Sequence, residues 1–446
     1  MKRQRNTMAT VASLVSVAAL AVGLTLGLAG CGNGGAADPA EHADAGSDGA
    51  TITLWLAGAD TPQELRDYLI STFAEQNPGS TLVIEEQGWG DLIPQLTTAL
   101  PDAHNTPDVV ELGNTQAPTF TAVGAFREIS PELFTELGGE NLLASFVEAG
   151  TYDGKIYALP YYFGSRYMFY RADIWEKAGV DVPTTLDEFT QAAVSLTTAD
   201  MSGFAIGGQD WRNGISWVFA HGGELATVDG TEWTSTLSDP NTIAGLEAWQ
   251  ALFQGASLLP TTDRDVAYWD FLNDGTDGAP PAAATIMAPG WARWSMGDLA
   301  EDGETRDGMA DESTFNIFAL PGVDGGIAPV FAGGSNVAIS AQSQYPELAE
   351  NLLRIIFSPE YQQMLGKNGL GPANSDYMSS LGDDKFATTM IETARDSQLT
   401  PAAPGWASIE SAFVLEEFFQ AIAEGGDVTA LAQEFDARLT PMLNAR

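Results

Sequence analysis

TITLWLAGADTPQELRDYLISTFAEQNPGSTLVIEE, residues 51–86, sets the fold class of this chain. Residues 51–58 form a short apolar run that ends in glycine, as a strand bounded by a turn does. Thr61 is a good N-cap, Pro62 suits a first helical position, and Glu64 completes a capping box. Leu65, Tyr68, Leu69 and Phe73 then recur on one helical face until Asn77, Pro78 and Gly79 stop the helix. A second strand follows in TLVIEE (81–86), a second helix in DLIPQLTTAL (91–100) in spite of Pro94, and a third strand in PDVVELG (107–113). Strand, helix and strand in alternation predict an α/β fold with a parallel sheet, whose ligand sites lie beyond the carboxyl ends of the strands. Two such ends are the loops 58–60 and 113–116.

Upstream, Lys2, Arg3 and Arg5 precede an uncharged stretch, 6–30, which reads as an export signal. Its length would also suit a membrane span if Ala and Gly count as apolar. The residues at its end decide: Leu28, Ala29 and Gly30 before Cys31 resemble the bacterial lipoprotein box, in which small residues admit the signal peptidase and the cysteine sulfur receives a diacylglycerol. Cys31 is the only cysteine of 446 residues, so an internal disulfide is excluded. Residues 32–50 are rich in Gly, Ala, Asp and Ser, lack periodicity and hold no large apolar side chain, which predicts a flexible tether. The expectation is a signal peptide at 1–30, a tether at 31–50, and a folded body lipid-anchored to the outer face of the cell membrane.

The chain carries 60 Asp and Glu against 19 Lys and Arg, a net charge of −41 that becomes −44 once the three cations before Cys31 are removed. Such a field repels nucleic acid and anionic head groups. A solvated acidic surface explains the rest of it. The body is larger than a single core usually grows, so two lobes are expected.

Downstream comes TYDGKIYALPYYFGSRYMFYRADIWEKAGVDVPTTLDEF (151–189), followed by MAPGWARW (287–294), FAGGSNVAIS (331–340), SPEYQQ (358–363), GLGPANS (369–375) and APGWASIE (403–410). Together these segments resemble the extracellular solute-binding proteins of bacterial carbohydrate importers, the family that includes maltose-binding protein, from about residue 51 to the C-terminus. ELGNTQAPTF, PYYFGSR and FAGGSN look closest to binders of di- and oligosaccharides, with chitobiose-type proteins as neighbours. The resemblance implies a two-lobed periplasmic-binding-protein fold with the ligand in the interlobe cleft. Lobe 1 would hold 51–161 and 335–375, and lobe 2 would hold 162–334 and 376–446. It further implies a monomer that closes on its sugar, uses no cofactor or metal, performs no chemistry, and delivers the sugar to the permease subunits of an ABC importer.

A sugar presents flat C–H faces rimmed by hydroxyls, so its site needs aromatic platforms and planar polar groups. The chain has 11 Trp and 11 Tyr. Trp211, Trp291 and Trp406 sit in glycine-flanked stretches and are read as platforms, against plain packing; Trp55, Trp175 and Trp249 lie in apolar patterns and are read as core. The resemblance also places Trp291 where the family stacks a ring, and Trp211 with Asp210 in a loop that supplies an aromatic and an acid. Asn114 and Gln116, at the end of the third strand, are read as hydroxyl partners, against turn chemistry. Arg166 either bridges the lobes or holds a hydroxyl, with a structural ion pair as rival; Gly333, Gly334 and Ser335 allow close backbone approach to ligand or hinge. Asp60 is read as a ligand acceptor against a solvated loop aspartate, and of Tyr161 and Tyr162 one faces the cleft; the sequence does not decide which, and Tyr162 is carried as the candidate contact.

A glycoside-acting enzyme and a binder of a non-sugar solute are the competing classes. A glycosidase needs two carboxylates about 5 to 10 Å apart, and with so many acids every pairing is available and none is informative. Nucleophile-elbow, zinc-protease and P-loop motifs are missing, and no glycine-rich stretch makes a convincing dinucleotide fingerprint. His42, His104 and His221 are scattered, and NDGTDG (273–278) lacks the ligand spacing of a calcium loop and reads as an exposed turn.

Overall fold

The computed structural model describes residues 49–264, 267–274, 279–299 and 305–445. Cys31, the signal peptide 1–30, the tether as far as residue 48, His42, and 275–278 of NDGTDG lie outside the described residues.

The opening stretch folds as β1 (Thr51–Ala57), α1 (Gln63–Gln76) and β2 (Thr81–Gln87), followed by α2 (Leu92–Ala99) and β3 (Val109–Gly113). α1 buries Leu65, Leu69 and Phe73 completely against the sheet. Each such side chain contributes about 1.5–3 kcal/mol through area removed from water. The expected capping box is absent: Pro62 occupies the N-cap position without a side-chain cap. The Thr61 hydroxyl instead shares a hydrogen bond with the buried Tyr161 hydroxyl at 3.0 Å, because a phenol sealed in a core must find a partner. Pro94 falls in the first turn of α2, where no intrahelical N–H donor is required. Helix α3 (Ala117–Ala122) opens directly beyond β3.

Next come β4 (Ala158–Gly164) and β5 (Arg166–Arg171), separated by Ser165 alone, then α4 (Trp211–Ala220), β6 (Thr285–Pro289), β7 (Phe315–Phe318), β8 (Gly333–Ile339), β9 (Gly371–Pro372) and α5 (Trp406–Ser411). Two sheets result. One has the order β9-β4-β8-β3-β1-β2, with β1 parallel to both β2 and β3 and with β8 antiparallel to β3 and β4. The other is β6-β5-β7, antiparallel throughout. The chain therefore changes sheets at Ser165, a few residues past the sequence-based lobe boundary, and changes back where Gly333 pairs with Gly164. Both lobes are α/β, and the fold is the two-lobed one expected of solute-binding proteins.

Each sheet has its own core. Leu54, Leu65, Phe73, Tyr161, Val337 and Leu352 pack around the six-stranded sheet. A second cluster holds Trp175, Trp211, Trp217, Trp249 and Trp406. Trp175 and Trp249 are core as read from the sequence, whereas Trp55 is half-buried and donates its indole N–H to Glu85 at 2.9 Å. Among the described residues no helix is long and apolar enough to cross a membrane, and no His, Cys, Asp and Glu cluster forms a metal site.

Candidate ligand-binding cleft

A cleft of about 940 Å³ opens where the two sheets meet, lined by residues of both. On the six-stranded side it begins at the carboxyl ends of β1 and β3, which deliver Asp60 and the run Gly113, Asn114, Thr115, Gln116. Asn114 is buried, and its side-chain amide donates to the Ala332 carbonyl at 3.1 Å, across to the strand connection that returns to β8. The Gln116 side chain folds back to accept the Gly113 N–H at 3.3 Å. Asp60 is engaged by protein donors: its Oδ2 accepts the Trp89 indole N–H at 2.9 Å and the Tyr162 hydroxyl at 3.0 Å. Of the tyrosine pair, Tyr162 lines the cleft, while Tyr161 points into the core and bonds Tyr361 at 2.6 Å. Burial pushes the Tyr162 hydroxyl well above its usual pKa.

Beneath this wall lies Glu111, fully buried in β3. It accepts the Ala57 N–H at 2.9 Å and the Ser335 hydroxyl at 2.6 Å, so one carboxyl ties β1, β3 and β8 together. Burial pushes its pKa up to about 8, with the charge of Asp60 adding to the rise. Ser335 is spent on this contact and is fully buried, whereas Gly333 and Gly334 reach the cleft surface. Gly334 has φ +142, and a Cβ there would stand 2.4 Å from the Tyr162 carbonyl oxygen, so only glycine fits.

The other wall is aromatic. A 3₁₀ turn, Gly290–Ser295, follows β6 and puts Trp291 and Trp294 three residues apart on one edge, 56% and 60% exposed. Trp269 meets Trp291 edge-on with centroids 5.2 Å apart. Arg293 lies over the rings of Trp294 and Phe386, at 4.4 and 4.0 Å, and bonds Asp384 at 3.3 Å. Arg166 lines the cleft and donates to Asn213 Oδ1 at 2.9 Å; Asn213 is in turn held by Asp210, the N-cap of α4, at 2.6 Å.

Several residues singled out by sequence do not reach the cavity. Trp211 and Trp406 are each 1% exposed and meet edge-on in the core at 6.2 Å; of the glycines beside them, Gly405 caps the start of α5 and Gly214 lies inside α4, where a Cβ would stand 2.3 Å from the Phe419 ring. Asp210 is buried and acts through Asn213. Arg212 lies over the Trp211 ring at 4.4 Å and reaches Glu410 at 3.4 Å, and both charged groups line the cleft. Glu410 also accepts the Thr115 hydroxyl at 3.2 Å; burial raises its pKa against the charge of Arg212.

Sequence reasoning missed Trp89, Glu111, Trp269, Arg293, Trp294 and Glu410. Trp89 carried a usable signal, since QGWGD (87–91) is glycine-flanked and follows the carboxyl end of a strand. Glu111 carried none, because an acid in a strand pattern does not announce which face it takes.

Comparison with known proteins agrees with this architecture. A family model described as bacterial extracellular solute-binding protein matches residues 68–389. The chain is 30% identical over 402 residues to the diacetylchitobiose binding protein DasA of Streptomyces coelicolor, covering 89% of this chain and 90% of that one. In structure it is similar to the sugar-binding protein MalE of Xanthomonas citri, with TM-score 0.73, 21% identity, and 88% and 97% of the two chains covered. It is likewise similar to the GacH receptor of Streptomyces glaucescens, solved without ligand and with acarbose, at TM-score 0.69, 18% identity, and coverage of 88% and 98%.

Proposed function

Because this chain belongs to the bacterial extracellular solute-binding proteins, we propose that it captures a di- or oligosaccharide in the interlobe cleft and hands it to the membrane subunits of an ABC importer. It is a binding protein and not an enzyme. The observation that carries the saccharide reading is the cleft itself, in which the exposed indoles of Trp291 and Trp294 face a cavity rimmed by amide, hydroxyl and guanidinium groups. That is the pairing of flat apolar faces and planar hydrogen-bonding groups that sugars require. The likeness to a diacetylchitobiose binding protein supports it further.

In this reading Trp291 stacks on the sugar; Asn114, Gln116, Tyr162, Arg166 and the Gly334 backbone contact it; Asp210, Trp211, Ser335 and Trp406 hold those groups in place from behind. Lobe 1 takes 51–161 with 335–375, extended to Gly164 and back to Gly333 by the pairing of those strands in the six-stranded sheet, lobe 2 takes the remainder of the body, and ligand draws them together about the strand crossings. The protein acts as a monomer. Cys31 is its lipidated N-terminus, and two or more acyl chains hold it where one would be marginal, at about 0.8 kcal/mol per buried methylene.

A thermal-shift screen with di- and trisaccharides tests the ligand class, since a molecule that binds only the folded state stabilises it by RT ln(1 + [L]/Kd). We expect a sugar to raise the midpoint. Stabilisation by a peptide or polyamine and by no sugar overturns the reading. Cys31→Ser is expected to move the protein from the membrane fraction to the medium with sugar affinity intact, and retention at the membrane refutes the anchor.

A further inference from the structure

Trp89 is the one indole that the six-stranded side contributes to the cleft lining among the described residues. It lies between β2 and α2 and is 37% exposed. Its position is built from several directions. The indole N–H is held by Asp60 at 2.9 Å, and the same carboxylate oxygen accepts the Tyr162 hydroxyl at 3.0 Å. The ring lies across two glycines: a Cβ on Gly58 would stand 2.7 Å from Nε1, and one on Gly113 would stand 3.5 Å from the far edge of the ring. Gly58 also has φ +59, a conformation that side-chain-bearing residues rarely adopt. The carboxyl ends of β1 and β3 are thus both glycine where the indole crosses them, and both strands deliver residues to the cleft.

A tryptophan fixed in this way and left in contact with a cavity keeps apolar surface in water, a cost that an apolar partner would remove. We propose that Trp89 is a sugar-stacking platform on the lobe 1 side of the cleft, and that Asp60 is its positioning residue and not a first acceptor of sugar hydroxyls. This inference rests on the saccharide reading above. It gives the cleft an indole on each side, so a saccharide that spans the lobes meets a ring from both, and Trp89 links ligand contact directly to Tyr162 and the strand crossing. Stacking depends on the angle of the ring, and the angle is set by the Asp60 contact and by the absence of side chains at Gly58 and Gly113.

The test is calorimetry on the full exported chain with diacetylchitobiose, cellobiose, maltose and maltotetraose as probes, on wild type, Trp89→Ala, Trp89→Phe and Asp60→Asn. For the tightest of these sugars, Trp89→Ala is expected to raise Kd by about ten-fold or more, and Trp89→Phe, which keeps a ring, to recover most of the loss. Asp60→Asn is expected to shift the tryptophan emission change that accompanies binding, a signature that a purely structural aspartate would leave alone. Wild-type binding with Trp89→Ala within about two-fold of it overturns the platform and leaves the saccharide reading standing. Failure of wild type to bind any of the four sugars overturns both.

Discussion

The two walls of the cleft are built on different principles. The wall on the six-stranded sheet is a hydrogen-bonded frame: Asp60, Trp89 and Tyr162 interlock, and below them Glu111 ties β1, β3 and β8 through Ala57 and Ser335. The wall on the three-stranded sheet is a stack of rings and one guanidinium, with Trp291 and Trp294 more than half exposed and Trp269, Phe386 and Arg293 packed around them. The buried part of this frame, Glu111 with Ala57 and Ser335, fixes geometry at the cost of desolvation, and a lost partner there is expensive, whereas the Asp60–Trp89 contact above it is exposed. Exposed rings carry little of the folding energy and are free to adapt to a ligand. On the saccharide reading, the first wall fixes where the sugar sits and presents the Trp89 ring, and the second supplies the larger apolar surface.

The largest expected effect lies in the frame and depends on pH. The ordinary value for Glu111 is 4.5, and in the folded protein burial pushes it up to about 8. Between those two values the folded state keeps a proton that the unfolded state gives up. Stability contributed at this site therefore falls as pH rises from about 4.5 to about 8, and is flat outside that window. A shift of this size is worth roughly 5 kcal/mol by linkage. Glu111→Gln keeps an acceptor for Ala57 or Ser335, adds no charge, and is expected to flatten that slope. Denaturant titrations across the window read this directly, and a Glu111→Gln protein whose slope equals that of wild type would show that the carboxyl is not the titrating element of the frame.

On the other wall the effect moves from folding to binding. Trp291→Ala is expected to leave the unfolding midpoint nearly unchanged, because the ring is 56% exposed, while sugar binding weakens by about 1–2 kcal/mol. Calorimetry and thermal unfolding of the same sample separate the two. A marked loss of stability with full affinity would invert the contrast between the walls.

The alternation of strand and helix in 51–113 was legible because hydrophobic period and caps are local properties, and the two-lobed arrangement was legible from the motif series 151–410. The cleft was legible in part. Trp291, Asn114, Gln116, Tyr162, Arg166 and Gly334 all reach it. Trp211 and Trp406 do not, because a tryptophan beside glycine looks the same whether the glycine opens a loop or makes room at a helix start. Gly405, where a Cβ would stand 1.8 Å from the Met442 carbonyl oxygen, is of the second kind. Thr61 went to Tyr161 and not to its own helix, since a buried phenol outbids a cap that solvent is able to replace. Such choices depend on what arrives from elsewhere in the chain, and local spacing holds no record of it.

The smallest expected effect concerns the place where the walls touch. Thr115, just beyond β3, donates to Glu410 in α5 at 3.2 Å, and Thr119 accepts the Ala407 N–H at 3.2 Å. If the frame and the ring wall are independent constructions, Thr115→Val removes a single long hydrogen bond and costs about 0.5–1 kcal/mol of stability. Arg212 still faces the Glu410 carboxyl, at 3.4 Å, and keeps it from being stranded without a partner. Loss of the Thr115 donor removes one of the contacts that favour the charged form, so the Glu410 pKa is expected to rise further. The measurement is a denaturant curve for Thr115→Val beside wild type. A loss of several kcal/mol would mean that the frame leans on the opposite wall for its geometry, and the division of labour between the two walls would have to be given up.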